Sequence, residues 1–215
     1  MRSVMLRVSR SGVRSWSGAA IAAAACLGLL CAAAGRAADE PSWEIQRADV
    51  RVTCPMTVGG SFEAKTNALT GSVTLTTPQP PTFSGTLTVD LRTLQTGISL
   101  RDSHMREKYL EVDKGEAFTH ARLSDIKLAD VDPDTFVGRT QFTGQFQLHG
   151  TTRPIEGQVE IRRAGSTIHL DATFPVKIPD FGIPKPRYLG VGVKDRVQVH
   201  VSFDASPATS AGGEQ

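Results

Sequence analysis

The sequence predicts an all-β protein, an antiparallel up-and-down β-barrel of about eight strands with one helical insertion near its mouth. Apolar and polar residues alternate from residue 43 to residue 203, the breaks between the alternating runs are short, and one charged, helix-competent segment, 94–113, interrupts the pattern. Alternation with a period of two residues gives each strand one apolar and one polar face, and short connections between such strands make hairpins. The sheet is therefore expected to be antiparallel and to close with its apolar face inside.

Strand candidates follow one another along the chain. They cover residues 43–53, 71–77, 82–91, 120–131, 135–150, 152–163, 166–178 and 194–203. The prolines at 78, 80 and 81 predict a turn between the second and third strands, because proline lacks the N–H that a strand interior needs. The segment 94–113 separates the third and fourth strands, so it is expected at one end of the barrel, where it would act as a lid.

The first 38 residues are typical of a secretory signal peptide. A basic start precedes an uncharged, alanine-rich run at 19–34, and small residues follow in GRAAD at 35–39. A retained membrane anchor and a lipid-modified form beginning at Cys26 are the alternatives. The alanine-rich run is weakly apolar for a segment that must cross about 30 Å of hydrocarbon, which favours removal of the signal.

Removal of the signal sets the domain organisation. The barrel domain is expected over 39–205, with a flexible C-terminal tail over 206–215, and the protein is expected in the periplasm or secreted, without a membrane span after cleavage. Five of the 24 basic residues and none of the 22 acidic ones lie in the signal, leaving 19 basic against 22 acidic residues and a net charge of −3. No basic stripe indicates a nucleic-acid partner.

Cys54 is the one cysteine of three that lies after the signal, so the mature chain cannot form an internal disulfide. A small residue of the core is the first interpretation of Cys54, and a reactive thiol is the alternative.

The apolar phase of the strands predicts the residues that face the barrel interior. They are Leu87, Val89, Leu91, Phe146, Leu148, Val159, Ile161, Phe174, Val176, Val199 and Val201. A membrane barrel would reverse this pattern and add aromatic girdles, whereas the chain has two Trp and two Tyr. The same pattern also fits a solid core or a two-sheet sandwich. Glycines within the strands, such as Gly144 and Gly157, fit either strong strand curvature or a cavity.

Three stretches of the chain then suggest a family. They are TLTVDLRTLQTGISLRDSHMREKYLEVDKGEAFTHARL (86–123), FTGQFQLHGTTRPIEGQVEI (142–161), and FPVKIPDFGIP (174–184) followed by VKDRVQVHVSF (193–203). Together, in this order and spacing, they resemble the YceI-like family of secreted polyisoprenoid-binding proteins. The resemblance implies a lipocalin-like barrel whose apolar interior holds the chain of an isoprenoid lipid, without catalytic residues and often as a homodimer.

Candidate chemistry is sparse outside the apolar faces. The sequence has no GxSxG, HExxH, Walker or CxxC motif, and His104 with His120 is the one histidine pair considered for a metal or for acid–base work. We therefore predict no catalytic residue, no metal and no cofactor other than a bound lipid. An enzyme that modifies an amphiphile, using Arg101, Asp102 and His104, is the alternative.

The main hypothesis is a secreted or periplasmic, non-catalytic protein that holds a polyisoprenoid or similar amphiphilic lipid for transport, storage or sequestration. A polyprenyl phosphate and an isoprenoid quinone both fit. If the lipid carries a phosphate, Arg101 and Arg106 at the mouth are expected to bind it through charge-assisted hydrogen bonds. A structural or stress-related protein with a solid barrel is a further alternative.

Overall fold

The strand alternation of the sequence builds a single closed sheet in the computed structural model, which describes residues 42–78, 80–129, 137–188 and 191–208. The predicted signal, the predicted strand residues 130–131 and 135–136, and the predicted tail from 209 onward lie outside these residues. Within them the strands are β1 (Ser42–Pro55), β2 (Ser61–Thr66), β3 (Leu69–Pro78), β4 (Pro81–Asp90), β5 (His120–Leu128), β6 (Gly138–Leu148), β7 (Thr151–Ala164), β8 (Thr167–Lys177), β9 (Arg187–Tyr188), β10 (Val191–Gly192) and β11 (Arg196–Pro207).

The barrel closes where the first strand meets the last. Each strand from β3 to β8 pairs antiparallel with the next, β8 pairs with β11, and β11 returns to β1 in a register that opposes Val50 to Val201 and Val52 to Val199. β3 and β2 pair with successive parts of β1 and therefore act as one interrupted strand. The result is an eight-stranded antiparallel barrel, which confirms the predicted fold class.

Alternation along each strand decides which side chains enter the interior. In β6, Phe142, Phe146 and Leu148 are buried, whereas the intervening Gln141 and Gln145 are exposed. Gly157 of β7 lies directly opposite Phe142, and a Cβ atom there would come within 2.5 Å of the Phe142 ring and 2.7 Å of the Thr173 carbonyl oxygen. Glycine is thus required at this position for the phenylalanine ring to pack against the neighbouring strand.

One end of the barrel, here called the mouth end, carries the connections between β4 and β5 and between β8 and β11. The first contains a 3₁₀ turn (Leu91–Thr93), helix α1 (Ser99–His104), a π-helical turn (Met105–Tyr109), a second 3₁₀ turn (Val112–Lys114) and helix α2 (Glu116–Thr119). The predicted helical insertion is confirmed, although within 94–113 the continuous helical stretch is confined to residues 99–109. Glu111 and Gly115 have φ values of 50° and 122°, which an α-helix cannot accommodate.

The connection between β8 and β11 also lies at the mouth end. It contains a 3₁₀ turn (Ile178–Phe181) and the short β9–β10 hairpin. β11 continues through Pro207, and the Ala208 backbone N–H donates to the Ser42 carbonyl at 2.9 Å, so the barrel extends beyond the predicted boundary at 205. None of the helices in the described part of the chain has the length and apolarity of a membrane span.

Candidate binding cavity

The interior of the barrel is hollow. A cavity of about 610 Å³ lies inside it, within the range of about 300 to 1,000 Å³ that ligand pockets occupy. Val52, Leu123 and Val201 face this space from the middle of their strands, yet they are only partly buried. A filled core would bury such side chains completely. The structure therefore does not support the solid core left open by the sequence pattern.

The residues predicted to face the interior all line the cavity. Leu87 and Val89 do so from β4, and Leu91 does so from the 3₁₀ turn rather than from the predicted end of the strand. The remaining predicted residues line it from β6, β7, β8 and β11: Phe146, Leu148, Val159, Ile161, Phe174, Val176, Val199 and Val201. Their contact with a ligand stays a prediction.

Aromatic rings stiffen one wall of the cavity. Phe174 contacts Phe142 and Phe146 edge to face at centroid distances of 5.9 and 5.6 Å, and Phe146 contacts Phe181 at 5.7 Å. Such pairs contribute about 0.5 to 1.5 kcal/mol beyond the burial of their surface. The contacts join β6 and β8 into one aromatic wall, and Phe181 connects it to the DFGI segment (180–183).

The insertion between β4 and β5 contributes an apolar face that the sequence analysis missed. Leu94, Met105, Tyr109 and Leu110 all line the cavity, although the segment was interpreted from its charges. Met105 and Tyr109 are four residues apart, a spacing that places side chains on one face of a helical turn. This spacing was the available signal.

Arg101, which belongs to helix α1 of the insertion, lies on the cavity lining. Its guanidinium carbon is 4.3 Å from the centre of the Phe62 ring, a cation–π contact. Within the described residues Arg101 forms no ion pair, and Arg187 of β9 is a second arginine on the lining. No aspartate or glutamate in the described part of the chain lines the cavity. The two arginines are thus the charged groups on the lining that an anionic ligand could meet, and both are cationic.

Arg106 is oriented differently from the prediction. Its Nη1 donates to the Leu94 carbonyl at 3.0 Å, and the side chain is not part of the cavity lining. The guanidinium holds the chain that enters the insertion instead of facing the cavity. Arg106 therefore lies off the lining that includes Arg101 and Arg187, and the binding of a head group by Arg101 and Arg106 stays a prediction.

Asp102, one of the three residues considered for an enzyme, makes a structural contact. Asp102 is buried, and its Oδ1 accepts hydrogen bonds from the backbone N–H and the hydroxyl of Thr96 at 2.7 and 2.6 Å. The carboxylate thus closes the loop before α1 and does not orient His104, which lines the cavity. Among the described residues, no group of three or more His, Cys, Asp or Glu side chains is arranged to hold a metal ion.

Cys54 lines the cavity with a protonated thiol. Burial raises the pKa of this thiol to about 11, and the nearby positive charge of Arg101 opposes the shift without cancelling it. Because the thiolate is the nucleophile, a cysteine with so high a pKa is unreactive near neutral pH. The first interpretation of Cys54, a small residue of the apolar interior, agrees with this environment.

His149 fastens the insertion to the barrel, a role that the sequence did not reveal. Its Nε2 lies 2.9 Å from Oε2 of Glu111, its Nδ1 lies 3.1 Å from the Phe181 carbonyl oxygen, and its ring packs edge to face on Phe118 at 4.7 Å. The pKa of Glu111 is lowered, chiefly by its hydrogen bond with Lys114 and also by that with His149. We call His149, Glu111, Phe118 and Phe181 the clasp.

These features place the protein in the class of small closed β-barrels whose interior is wide enough to hold a ligand. The family model described as the YceI-like domain matches residues 43–205, and the chain belongs to this family. The resemblance stated from the sequence is thus confirmed. A comparison with curated proteins gives no significant match.

Solved structures share the fold at low sequence identity. BcnA of Burkholderia cenocepacia is 16% identical with a TM-score of 0.56, and the match covers 73% of this chain and 96% of that chain. A polyisoprenoid binding domain from Saccharophagus degradans is 13% identical with a TM-score of 0.55, covering 77% and 98%. The YCEI protein of Campylobacter jejuni is 13% identical with a TM-score of 0.56, covering 71% and 88%.

Proposed function

We propose that this protein is a non-catalytic binding protein that holds a polyisoprenoid or similar amphiphilic lipid in its barrel. The observation that carries the proposal is the hollow apolar cavity of about 610 Å³ in a YceI-like barrel. A structural relative is described as a polyisoprenoid binding domain, which supports the same ligand class. The N-terminal sequence supports a secreted or periplasmic protein that transports, stores or sequesters the lipid.

Cavity volume sets the length of chain that the barrel can enclose. At roughly 30 Å³ per non-hydrogen atom, the share of one water molecule in the liquid, the cavity accommodates about 20 atoms, or about four isoprene units. Each buried methylene contributes about 0.8 kcal/mol, so each unit of five carbons offers about 4 kcal/mol before the cost of ordering the chain. Burial of the chain therefore supplies most of the affinity.

Charge at the mouth favours a lipid with an anionic head group. Arg101 and Arg187 both line the cavity, and no described carboxylate on the lining opposes them. Guanidinium groups bind phosphate through charge-assisted, often bidentate hydrogen bonds. A polyprenyl phosphate therefore fits the site better than a neutral quinone.

The environments of Asp102 and Cys54 support a binding role rather than catalysis. Asp102 is bonded to Thr96, and Cys54 is kept protonated by burial. Neither group is available as a base or nucleophile beside the cavity. Homodimer formation stays a prediction, which light scattering with and without lipid would check.

Mass spectrometry of lipid extracted from the purified protein tests the ligand class directly. We expect an isoprenoid chain with an acidic head group, and recovery of hydrophilic ligands alone would contradict the proposal. Ala172→Phe provides a matched variant, because Ala172 lines the cavity and the larger ring fills it without adding a polar atom. We expect less of the long-chain lipid to copurify with this variant, because its cavity is shorter, whereas Gln145→Phe on the exposed face of β6 should retain the lipid in full.

A further inference from the structure

Exposed apolar side chains concentrate at the mouth end of the barrel. Across the described residues, the large hydrophobic side chains that are exposed are Val58, Ile98, Leu100, Val137 and Val191. All but Val137 lie at the mouth end, with exposed fractions of 67% for Val58, 50% for Ile98, 61% for Leu100 and 37% for Val191. Val137 precedes β6 at the opposite end of the barrel. We call the set Val58, Ile98, Leu100 and Val191 the apolar rim.

Hydrogen bonds hold part of the apolar rim in a fixed arrangement. The Thr57 backbone N–H donates to the Gly192 carbonyl at 2.7 Å, and the Gly192 N–H donates to the Thr57 hydroxyl at 2.9 Å. These bonds join the turn that carries Val58 to the hairpin that carries Val191. On the other side, the contact of Arg101 with Phe62 packs α1 against β2.

The apolar rim is continuous with the interior of the barrel. Ile98, Leu100 and Val191 are exposed to solvent and also line the cavity. Exposed apolar residues that are scattered singly need no explanation, but a cluster around one opening indicates an interaction site. The cluster lies at the entrance to the cavity. A partner that binds there and also supplies the ligand must therefore have an apolar interior from which a chain can enter the cavity.

We propose that the apolar rim docks the mouth of the barrel onto a lipid bilayer that carries anionic head groups. Apolar side chains can enter the boundary between head groups and acyl chains, and cationic side chains beside them attract anionic lipids. Arg101 and Arg187 are placed at the same opening, with no described carboxylate on the cavity lining. Docking in this orientation lets an apolar chain pass from bilayer to cavity without crossing water, and this step alone rests on the proposed function.

Sedimentation with vesicles tests the docking. The protein is produced from the full sequence and purified in the form that the cell releases. The vesicles consist of phosphatidylcholine alone or of phosphatidylcholine with a quarter phosphatidylglycerol. We expect wild type to bind the anionic vesicles more tightly, and salt to weaken this binding. Val58→Ser combined with Leu100→Ser should reduce the binding at least about ten-fold, which corresponds to about 1.4 kcal/mol. Val137→Ser is the matched control, because this valine is 46% exposed at the opposite end.

Three results would overturn the docking proposal: no binding by wild type, equal binding by the double variant, or equal binding to neutral and anionic vesicles. A separate titration of wild type with geranylgeranyl phosphate in the absence of vesicles measures the proposed function. Vesicle binding without lipid uptake in that titration would contradict the proposed function and still support docking. Lipid uptake without vesicle binding would support the proposed function and contradict docking.

Discussion

Arg101 is the residue whose environment bears most directly on the head group. Its guanidinium is stacked on Phe62 and has no ion-pair partner within the described residues, so its N–H groups can bind an anion. We expect Arg101→Ala to weaken binding of geranylgeranyl phosphate by about 10- to 100-fold, because a hydrogen bond to a charged group contributes about 1.5 to 3 kcal/mol. Binding of geranylgeraniol should change little. Calorimetric titration at low and high salt measures both ligands.

Arg106→Ala provides the comparison for Arg101. Its guanidinium donates to the Leu94 carbonyl and lies off the cavity, so removal should weaken binding of the phosphate and the alcohol to the same extent. A loss specific to the phosphate in Arg106→Ala, or none in Arg101→Ala, would contradict the assignment of the head-group site.

Val199 tests the register of β11. It is 8% exposed and lines the cavity, whereas Gln198 immediately before it is exposed on the outer face. Val199→Asp should destabilise the fold by about 3 kcal/mol or more, because it places an uncompensated charge in an apolar interior. Gln198→Asp should leave stability within about 0.5 kcal/mol of wild type. Urea denaturation compares them, and equal effects would mean that the strand faces are misassigned.

His169 lies on the outer face of the barrel and should make the free energy of unfolding depend on pH. Its Nδ1 lies 2.7 Å from Oδ1 of Asp204 and its Nε2 lies 3.1 Å from Oδ2 of Asp171. The hydrogen bond with Asp204 is the main cause that raises the pKa of His169, and the charges of both aspartates add to it. The folded state therefore holds the proton more tightly than the unfolded state, whose histidine pKa is about 6.5.

The contribution of His169 to stability should be complete below about pH 6.5 and be lost as pH rises through the raised folded-state pKa. We expect wild type to exceed His169→Gln in free energy of unfolding at pH 6, by about 1 kcal/mol or less because the site is partly exposed. The difference should shrink by pH 9. Denaturant titrations at the two pH values give the comparison, and a difference that grows with pH would refute the direction of the shift.

The insertion between β4 and β5 shows where sequence patterns stop being informative. Its position at the mouth followed from the break in strand alternation, whereas its division into short turns did not. That division depends on Glu111, which has a left-handed φ of 50° and contributes to the clasp through a hydrogen bond with His149. His149 is distant from Glu111 in sequence, and single-sequence periodicity carries no information about such a pairing.

The length of the alternating pattern decides how well the sequence predicts each strand. The long strands β6 and β11 alternate over many residues, and every lining residue predicted from them lies on the cavity. β9 and β10 contain two residues each, too few for a period to be visible, so Arg187 was missed. β2 was missed because its interior residues Phe62 and Ala64 make too short a pattern beside the turn at 57–60.

The clasp should control how firmly the insertion covers the mouth. His149→Ala removes the edge-to-face contact with Phe118 and the hydrogen bond with the Phe181 carbonyl, together worth about 1 to 3 kcal/mol, and also removes the hydrogen bond with Glu111. We expect faster amide hydrogen exchange throughout residues 105–119, with the exchange of β6 and β7 nearly unchanged. Lys114→Ala is the control, because it removes only the exposed partner of Glu111 and should have a much smaller effect. Exchange that increases equally in the barrel strands would indicate global destabilisation instead.

At the scale of the whole molecule, the interior volume of a closed barrel should limit the chain length of the ligand that it binds tightly. The cavity of about 610 Å³ accommodates about four isoprene units by volume, and further units would have to remain in water or displace the insertion. We expect affinity for polyprenyl phosphates of two, three and four units to rise at least about ten-fold per unit, since each adds about 4 kcal/mol of apolar burial before ordering costs. From four units onward it should level off. Fluorescence competition titrations below the micelle concentration of each ligand measure the series, with Ala172→Phe expected to reach its plateau at a shorter chain. A continuing rise to eight units in wild type would show that the barrel or its insertion expands around the ligand, which contradicts a fixed cavity.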